Sequence, residues 1–315
     1  MEGTQLGQIP AKATTGAGQG AVDEVDLTPV RTYWQLARQR FMQHSLAVVG
    51  LIVMAILVTL ALVVPTITGS LYAKTSLSLA NHPPSLLNPF APLGYDSIGM
   101  NVFIRLVKAL QTSLFVGFSA VSIIVVVGIT VGAIAGYVGG AVDNLLMRLV
   151  DVVLSLPSFF LIVMMVALFG TGNAIVVIVA IGIVGWTTAA RLVRAEFLSL
   201  RETDFVQAAR ALGAGDRRII VRHMLPAAMA PVVVAATLGI ADSVVVEATL
   251  SFLSFGISPP EASLGNMLTN AQEFFYRQPI LILYPGLTLI LVVLAASFMG
   301  DGLRDALDPR QRVRK

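Results

Sequence analysis

The chain has 315 residues, of which 56% are hydrophobic and 12% are charged, with a formal net charge of +3. This balance excludes a soluble globular protein, and continuous apolar runs in place of short alternating segments exclude a β-barrel. Lys and Arg lie between apolar runs and form no basic face, so no nucleic-acid partner is expected. The absence of Cys excludes disulfides and thiolate metal sites. The sequence therefore predicts an all-α, polytopic membrane protein.

The N-terminal part of the sequence precedes the first apolar run. Residues 1–30 lack the apolar side chains that offset the entropy of ordering, so we expect a disordered tail. Acidic residues lie within it and the first apolar run starts late, which excludes a signal peptide. In residues 31–45, aromatic and basic side chains alternate, which favours an interfacial helix along the inner leaflet over simple flanking anchors.

Six spans are predicted within a transmembrane domain at residues 46–300. A bilayer core of about 30 Å requires about 20 helical residues. Five charge-free stretches meet this requirement: 46–65, 113–136, 152–169, 173–190 and 279–299. The third and fourth share one long apolar run, which residues 170–173 break with a predicted hairpin turn. A sixth span, at 227–250, contains Asp242 and Glu247.

The basic residues are divided unevenly by these spans. With both ends on one side, only Lys74, Arg105, Lys108 and Arg277 fall on one face, and the other 17 of the 21 Lys and Arg fall opposite. The positive-inside rule makes the richer face cytoplasmic. We therefore predict a multi-pass protein of the cytoplasmic (inner) membrane with both termini in the cytoplasm. It would have an external loop at 66–112, a cytoplasmic segment at 191–226 and a basic cytoplasmic tail at 301–315.

The cytoplasmic segment at 191–226 has helix punctuation and not loop composition. Asp204 is placed to cap a helix, with Gln207 three residues later as in a variant capping box. The small and apolar residues of this helix recur at helical spacing: Phe205, Ala208, Ala209 and Leu212. Gly213 stands where a left-handed residue would end the helix.

A second short helix is predicted from Asp216 through Met224. Asp216 is placed at its N-cap, Arg217 and Arg218 follow, and Pro226 limits its continuation. The two helices would protrude on the cytoplasmic side at an angle to each other. From this pattern alone, they either dock on a partner or only cover the inner face of the membrane.

The spacing of this segment resembles the EAA loop of binding-protein-dependent ABC importer permeases. The matching pattern is Gln207-Ala208-Ala209, three residues, Gly213, nine residues and Leu225-Pro226, with Gln207 in place of the family's Glu and His223 in place of its usual Ile. The resemblance implies a coupling helix that docks into a groove on the ATPase subunit. It makes the following residues candidates for ATPase coupling: Asp204, Gln207, Ala208, Ala209, Leu212, Gly213, Asp216, Arg217, Arg218, Leu225 and Pro226.

Other segments narrow the resemblance to the C-type subunit of the dipeptide, oligopeptide and nickel permease family. They are residues 41–50, 93–96 with Gly99, 139–157, and 247–256 with Pro259-Pro260. Met100-Asn101, Ser254 and Leu264 depart from the family's Arg-Asp, Gly and Trp. The resemblance implies a type I ABC importer permease fold, a second permease subunit, one or two ATPase subunits and an extracytoplasmic solute-binding protein. It leaves open whether the solute is a dipeptide, an oligopeptide, nickel or an oligosaccharide.

Two ionisable residues in the predicted fifth span are candidates for the translocation path. At 1.5 Å per residue, Glu247 falls near the outer interface, where it would simply be solvated, and Asp242 falls about 7 to 8 Å deeper. Asp242 either lines a cavity or, less favourably, takes part in a proton relay, for which no second buried group is visible. In either role, Asp242 would take part in the movement of the solute or of protons across the membrane.

Catalytic and cofactor signals are missing from the sequence. No Gly-Lys pair occurs, so a P-loop is absent and ATP must be used by a partner subunit. His44, His82 and His223 are too far apart in sequence to suggest a zinc site. We therefore predict a transport subunit, not an enzyme, of an ATP-driven importer for peptides or related solutes. The alternative is an ion-gradient-driven secondary transporter, which predicts inverted repeats and several buried ionisable groups.

Overall fold

The computed structural model describes residues 33–85 and 91–308, and all structural statements concern these residues. The predicted tail at 1–30 and the last part of the basic tail lie outside them. The helices are α1 Tyr33–Gln43, α2 Ser45–Thr68, α3 Val102–Val138, α4 Gly140–Leu154, α5 Ser158–Phe169, α6 Ala174–Arg201, α7 Asp204–Ala211, α8 Asp216–Arg218, α9 Leu225–Phe252, α10 Leu264–Glu273 and α11 Ile280–Leu307. Short 3₁₀ turns follow α2 at Gly69–Ala73 and Leu77–Leu79.

Five of these helices are long and apolar enough to cross a membrane, namely α2, α3, α6, α9 and α11. The bent pair α4 and α5 makes a sixth span if it is counted as one. The predicted straight span at 152–169 is wrong, because α4 and α5 meet at 83° and α5 has only 12 residues. Pro157 lies at this bend, where its missing N–H cannot continue the helix. The predicted turn at 170–173 is present between α5 and α6.

Two other predicted boundaries differ from the structure. α3 begins at Val102, so about the last quarter of the predicted external loop at 66–112 is helical. α11 runs to Leu307, so the predicted basic tail at 301–315 begins as part of the last span helix. In both places the predicted span stops at the first charged residue. The helix itself continues past that residue. α1 is the helix predicted at 31–45, and its position along the inner leaflet stays a prediction.

The closest helix pair, α3 and α6, is joined along a line of glycines on α3. Gly128, Gly132 and Gly136 recur every four residues and face α6. A Cβ atom at Gly132 would lie 2.4 Å from the Ala190 carbonyl oxygen, and one at Gly136 would lie 2.6 Å from the Phe197 Cβ. Small residues at this spacing let two membrane helices approach backbone to backbone. This contact fixes α3 against α6 along most of their length.

The other span helices pack around α9. Val244 of α9 is fully buried in a cluster with Leu114 of α3 and Val292 of α11, and Met54 of α2 completes this cluster. α11 also packs closely on α2, where a Cβ atom at Gly50 would lie 2.8 Å from the Ala295 carbonyl oxygen. α9 thus packs against α3, α6 and α11, and its two ends lie at the two sites described next.

Candidate functional site

The first helix of the cytoplasmic segment, α7, begins differently from the prediction. Thr203 is the N-cap residue and Asp204 is the first helical residue. The Thr203 hydroxyl donates to the Leu200 carbonyl oxygen at 2.6 Å, and the Gln207 side chain donates to the Glu202 carbonyl oxygen at 3.2 Å. The predicted capping box of Asp204 and Gln207 is therefore wrong. Asp204 instead places a negative charge in the first turn, where it interacts favourably with the helix dipole.

The end of α7 agrees with the prediction. Gly213 has a φ of +80°, the left-handed conformation that glycine adopts without steric cost. The Ala214 N–H donates to the Ala209 carbonyl oxygen and the Gly213 N–H donates to the Arg210 carbonyl oxygen, each at 3.0 Å. These two bonds form a Schellman motif. A Cβ atom at Gly213 would meet nothing within 4 Å, so the constraint on this position is its backbone angle alone.

The second cytoplasmic helix is continuous with the fifth span, and the predicted stop at Pro226 is wrong. α8, a π-helical turn at Ile219–Met224 and α9 form one helical stretch, Asp216–Phe252. In the π-helical turn the Leu225 N–H donates to the Ile220 carbonyl oxygen, which moves the hydrogen-bond register just before Pro226. Pro226 then lies in the first turn of α9, where a missing N–H is tolerated. The predicted cytoplasmic helix and the fifth span therefore belong to one helical stretch.

Asp216, at the start of this stretch, is not the N-cap residue that was predicted. Gly215 is the N-cap and Asp216 is the first helical residue, and its carboxylate accepts a hydrogen bond from the Tyr137 hydroxyl at the end of α3. The Arg210 guanidinium of α7 lies 6.0 Å from the centre of the same tyrosine ring. Tyr137 thus ties the spans to both cytoplasmic helices.

Beneath this surface, the cytoplasmic segment is seated on a buried apolar cluster. Val206 of α7, Ile219 and Met224 of the π-helical turn, and Val193 and Phe197 of α6 have no exposed surface. Together they fix the segment to α6. The segment is therefore packed firmly against the span helices.

The opposite face of α7 is exposed and apolar. Leu212 is 89% exposed, Phe205 is 45% exposed, and Ala208 lies between them on the same face. Ala209, predicted to belong to this stripe, is instead partly buried against the apolar cluster. The Arg217 and Arg218 side chains are exposed beside α7 and line a shallow groove at the start of the long helix. The surface thus offers an apolar helix face next to a basic edge.

A cavity of about 360 Å³ opens within the bundle at the level of the spans. It is lined by α3, the bend between α4 and α5, α6 and α9. Asp242 is exposed to it and is the one charged residue among those that line it. Ser158 and Thr188 add exposed hydroxyl groups to otherwise apolar walls. The predicted cavity-lining role of Asp242 fits this geometry.

Glu247 is not solvated as predicted, because its side chain has no exposed surface. The Ser113 hydroxyl of α3 donates to its Oε2 at 2.6 Å and the Ser251 hydroxyl of α9 donates to its Oε1 at 2.7 Å. Without exposed surface, Glu247 cannot touch a solute in this conformation. The segment after α9 folds back over it, which the helical rise along α9 does not reveal.

The same two hydroxyls hold the segment that covers Glu247. Ser113 Oγ accepts from the Leu264 N–H at 3.2 Å, and Ser251 Oγ accepts from the Ile257 N–H at 2.9 Å. Both carboxylate oxygens of Glu247 are therefore linked, through one hydroxyl each, to the segment between α9 and α10, which is predicted to be external. We call Glu247, Ser113 and Ser251 with these two amides the outer network.

The outer network continues into a capping box at the start of α10. Asn266 and Ser263 bond each other's backbone N–H groups, and the Asn266 amide also donates to the Glu261 carbonyl oxygen at 2.8 Å. Sequence reasoning missed Ser113 and Asn266. The Ser263-to-Asn266 spacing, a capping-box pattern before an amphipathic stretch, is a signal that could have found the second of them.

No metal site forms among the residues that the structure describes. Within residues 33–85 and 91–308, no group of three or more His, Asp or Glu side chains is placed to hold a metal ion. His44 instead caps α2, where its Nδ1 accepts from the Ala47 N–H at 3.2 Å. These arrangements carry no catalytic geometry.

Comparison with known proteins decides the family. Residues 128–313 match the family described as binding-protein-dependent transport system inner membrane component. The chain belongs to this family. Residues 32–84 of this importer permease also match the N-terminal transmembrane domain of oligopeptide transport permease C. Members of the family are transport subunits and not enzymes, with the ATPase on a separate subunit.

The importer permease is similar to two groups of relatives. It is 40% identical over 281 residues to the dipeptide transport system permease protein DppC of Alkalihalophilus pseudofirmus, covering 89% of this chain and 90% of the relative. It is 35% identical over 282 residues to the oligopeptide transport system permease protein OppC of Haemophilus influenzae, covering 90% of each chain. An OppC of Bacillus subtilis is 32% identical over 279 residues, covering 89% of this chain and 90% of the relative.

A solved structure supports the fold. The chain resembles a subunit of the MetNI methionine ABC transporter in an inward-facing conformation, with a TM-score of 0.54 and 22% identity, covering 65% of this chain and 96% of that chain. At this identity the likeness concerns the fold alone. The predicted type I ABC importer permease fold is thereby confirmed.

Proposed function

We propose that this permease moves peptides, either dipeptides or longer ones, across the cytoplasmic membrane as one half of an ATP-driven import channel. The proposal rests on the exposed apolar face of α7, which lies next to a helix that runs from the cytoplasm through the whole span. The named dipeptide and oligopeptide permeases to which the chain is similar support the choice of solute. Nickel and oligosaccharide transport have no such support from the named relatives.

The partners of this permease follow from the same geometry. The face formed by Phe205, Ala208 and Leu212 fits a groove on an ATPase subunit, because small and apolar side chains let another surface approach closely. The exposed guanidinium groups of Arg217 and Arg218 fit an acidic rim of that groove. A second permease subunit would close the cavity around Asp242, and an extracytoplasmic binding protein would deliver the peptide. Either one ATPase used twice or two different ATPases would satisfy this arrangement.

The mechanism we propose is a rigid transmission of movement. Closure of the ATPase pair moves α7 and the start of the helix Asp216–Phe252 together, since Tyr137 and the buried cluster join them. The far end of this helix carries the outer network, so the movement reaches the external segment. A coupling free energy between the two separate sites then links ATP use to opening. Both termini lie in the cytoplasm in this arrangement, in accord with the distribution of basic residues.

The secondary-transporter alternative receives no support from the family or the fold. The two functions differ in what the cytoplasmic face of α7 does. In an importer it binds an ATPase, whereas in a self-sufficient transporter it has no partner.

The test is co-purification of the permease with its ATPase after the change Leu212→Ala. Removing this exposed side chain should weaken the complex about tenfold or more, since a buried leucine contributes about 2 kcal/mol of apolar contact. The control is Met42→Ala on α1, a side chain that is 51% exposed outside the coupling surface. Equal recovery of ATPase with both variants would show that the face of α7 is not the docking surface.

A further inference from the structure

The carboxylate of Asp242 has no partner of its own within the bundle. Among residues 33–85 and 91–308, none donates a hydrogen bond to it or forms an ion pair with it, although it lines the cavity at membrane depth. An ionised group at this depth is costly unless a partner or water compensates it. Within the described residues the carboxylate is therefore open to water or to a ligand in the cavity.

Basic side chains near the cavity do not supply this compensation. Arg191, on α6 below the cavity, is held by the Asp151 carboxylate at 2.6 Å. Arg194, one turn further along, is paired through two hydrogen bonds with Asp143 of α4, and its Nη2 lies 2.6 Å from Oδ2. Both guanidinium groups are thus neutralised by their own carboxylates. Asp242 gives the cavity a net negative centre.

The other residues that line the cavity determine which kind of ligand can bind next to the Asp242 carboxylate. They are mostly apolar and include small residues of α9, with hydroxyl groups at Ser158 and Thr188 as additional hydrogen-bonding positions. A divalent metal ion does not suit the site, because such ions need several protein ligands and one carboxylate is available. A compact organic cation that carries apolar substituents does suit it.

We propose that Asp242 binds the ammonium group of the peptide during its passage through the channel. This inference rests on the proposed function and adds to it a preference for solutes with a free amino group. At neutral pH the amino terminus of a peptide carries a positive charge. The apolar walls would accept the side chains of the peptide. Its carboxylate end would be left to the second permease subunit.

The test compares uptake of a peptide with a free amino terminus and of its N-acetylated form. The complete complex with its ATPases and binding protein is reconstituted in liposomes, with Asp242 unchanged, as Asp242→Asn or as Asp242→Glu. Preferences of the binding protein are the same for every variant and cancel when the ratio of the two uptake rates is compared. Alanyl-lysine and alanyl-glutamate form a second pair, with both termini free.

We expect Asp242→Asn to lower uptake of the free-amino peptide about tenfold more than uptake of the acetylated peptide. Uptake of alanyl-lysine and of alanyl-glutamate should fall to about the same extent, because both keep the amino terminus. Asp242→Glu should keep the preference of the unchanged complex. The control Thr130→Val removes an exposed hydroxyl of α3 that lies outside the cavity and donates only to the Val126 carbonyl oxygen, so it should leave both ratios as they are.

Three results would overturn the inference. Equal loss of uptake for the free-amino and the acetylated peptide, or a loss confined to alanyl-lysine, would show that Asp242 does not recognise the amino terminus. Loss of the second permease subunit from the Asp242→Asn complex would assign the carboxylate to a contact between subunits. If the unchanged complex took up no peptide at all, the proposed function itself would fail, and this inference with it.

Discussion

Loss of the Ser113 hydroxyl should loosen the external segment that covers Glu247. This hydroxyl donates to the Glu247 carboxylate at 2.6 Å and accepts from the Leu264 N–H at 3.2 Å. The change Ser113→Ala removes the first bond, which contributes about 1 to 3 kcal/mol, and leaves a buried N–H unpaired, which costs about 1 to 3 kcal/mol. The expected loss of stability of the outer network is therefore about 2 to 6 kcal/mol.

Thiol labelling in the assembled complex measures this loss. The chain contains no Cys, so a single reporter can be introduced at Ala262, which has no exposed surface in the external segment. Each 1.4 kcal/mol is a factor of ten, so Ser113→Ala should raise the labelling rate of the reporter at least about 30-fold. The control Ser122→Ala, on the same helix, removes a hydroxyl that only donates to the Phe118 carbonyl oxygen four residues earlier.

The control should leave the labelling rate nearly unchanged, because the lost bond is local and exposed. Labelling rates that agree within about threefold for Ser113→Ala and Ser122→Ala would refute the reasoning. The outer network would then not hold the external segment in place.

Gly213→Val should abolish ATPase binding in co-purification while the protein still inserts, because a β-branched residue does not tolerate a φ of +80°, whereas Gly215→Val, at a φ of −68°, should be mild. If both variants bind ATPase equally, the turn after α7 is not needed for coupling. Gly132→Ala should lower the fraction of monodisperse protein in size-exclusion chromatography, since its Cβ would lie 2.4 Å from a carbonyl oxygen, and Gly286→Ala, with its nearest contact at 4.0 Å, should not. A Cys at His82, an exposed position, should react with an impermeant thiol reagent from outside, and labelling only after permeabilisation would reverse the topology.

Much of the bundle could be predicted from hydropathy, because lipid forces each span to satisfy its own backbone hydrogen bonds. The spans α2, α6, α9 and α11 lie close to the predicted segments. The bend between α4 and α5 was missed, since hydropathy measures how apolar a segment is and not its direction. Pro157 is the local signal for that bend, because it has no N–H with which to continue the helix.

The cytoplasmic segment shows which local signals are reliable. Gly213 was correctly placed, because a left-handed helix end strongly selects glycine. The caps at Asp204 and Asp216 were each one residue off, since Thr203 and Gly215 also suit an N-cap position. Pro226 was read as a stop, although a π-helical turn before it lets the helix continue.

The outer network could not be predicted from the sequence. Ser113 and Glu247 are 134 residues apart, and neither spacing nor composition brings them together. Counting residues along α9 says nothing of the surroundings of Glu247, which depend on a segment that folds back from the end of the helix. The surroundings of Asp242 are easier to predict than those of Glu247, because the cavity wall that contains Asp242 is formed by the span helices themselves.

Reconstituted uptake tests the central claim most directly. Liposomes containing this permease, its second permease subunit and the ATPases would be supplied with peptide-loaded binding protein outside and ATP inside. The account predicts peptide uptake that requires ATP and binding protein, with ATP hydrolysis stimulated by the loaded binding protein. Uptake by this chain alone, driven by an imposed ion gradient and abolished when that gradient is collapsed, would contradict it.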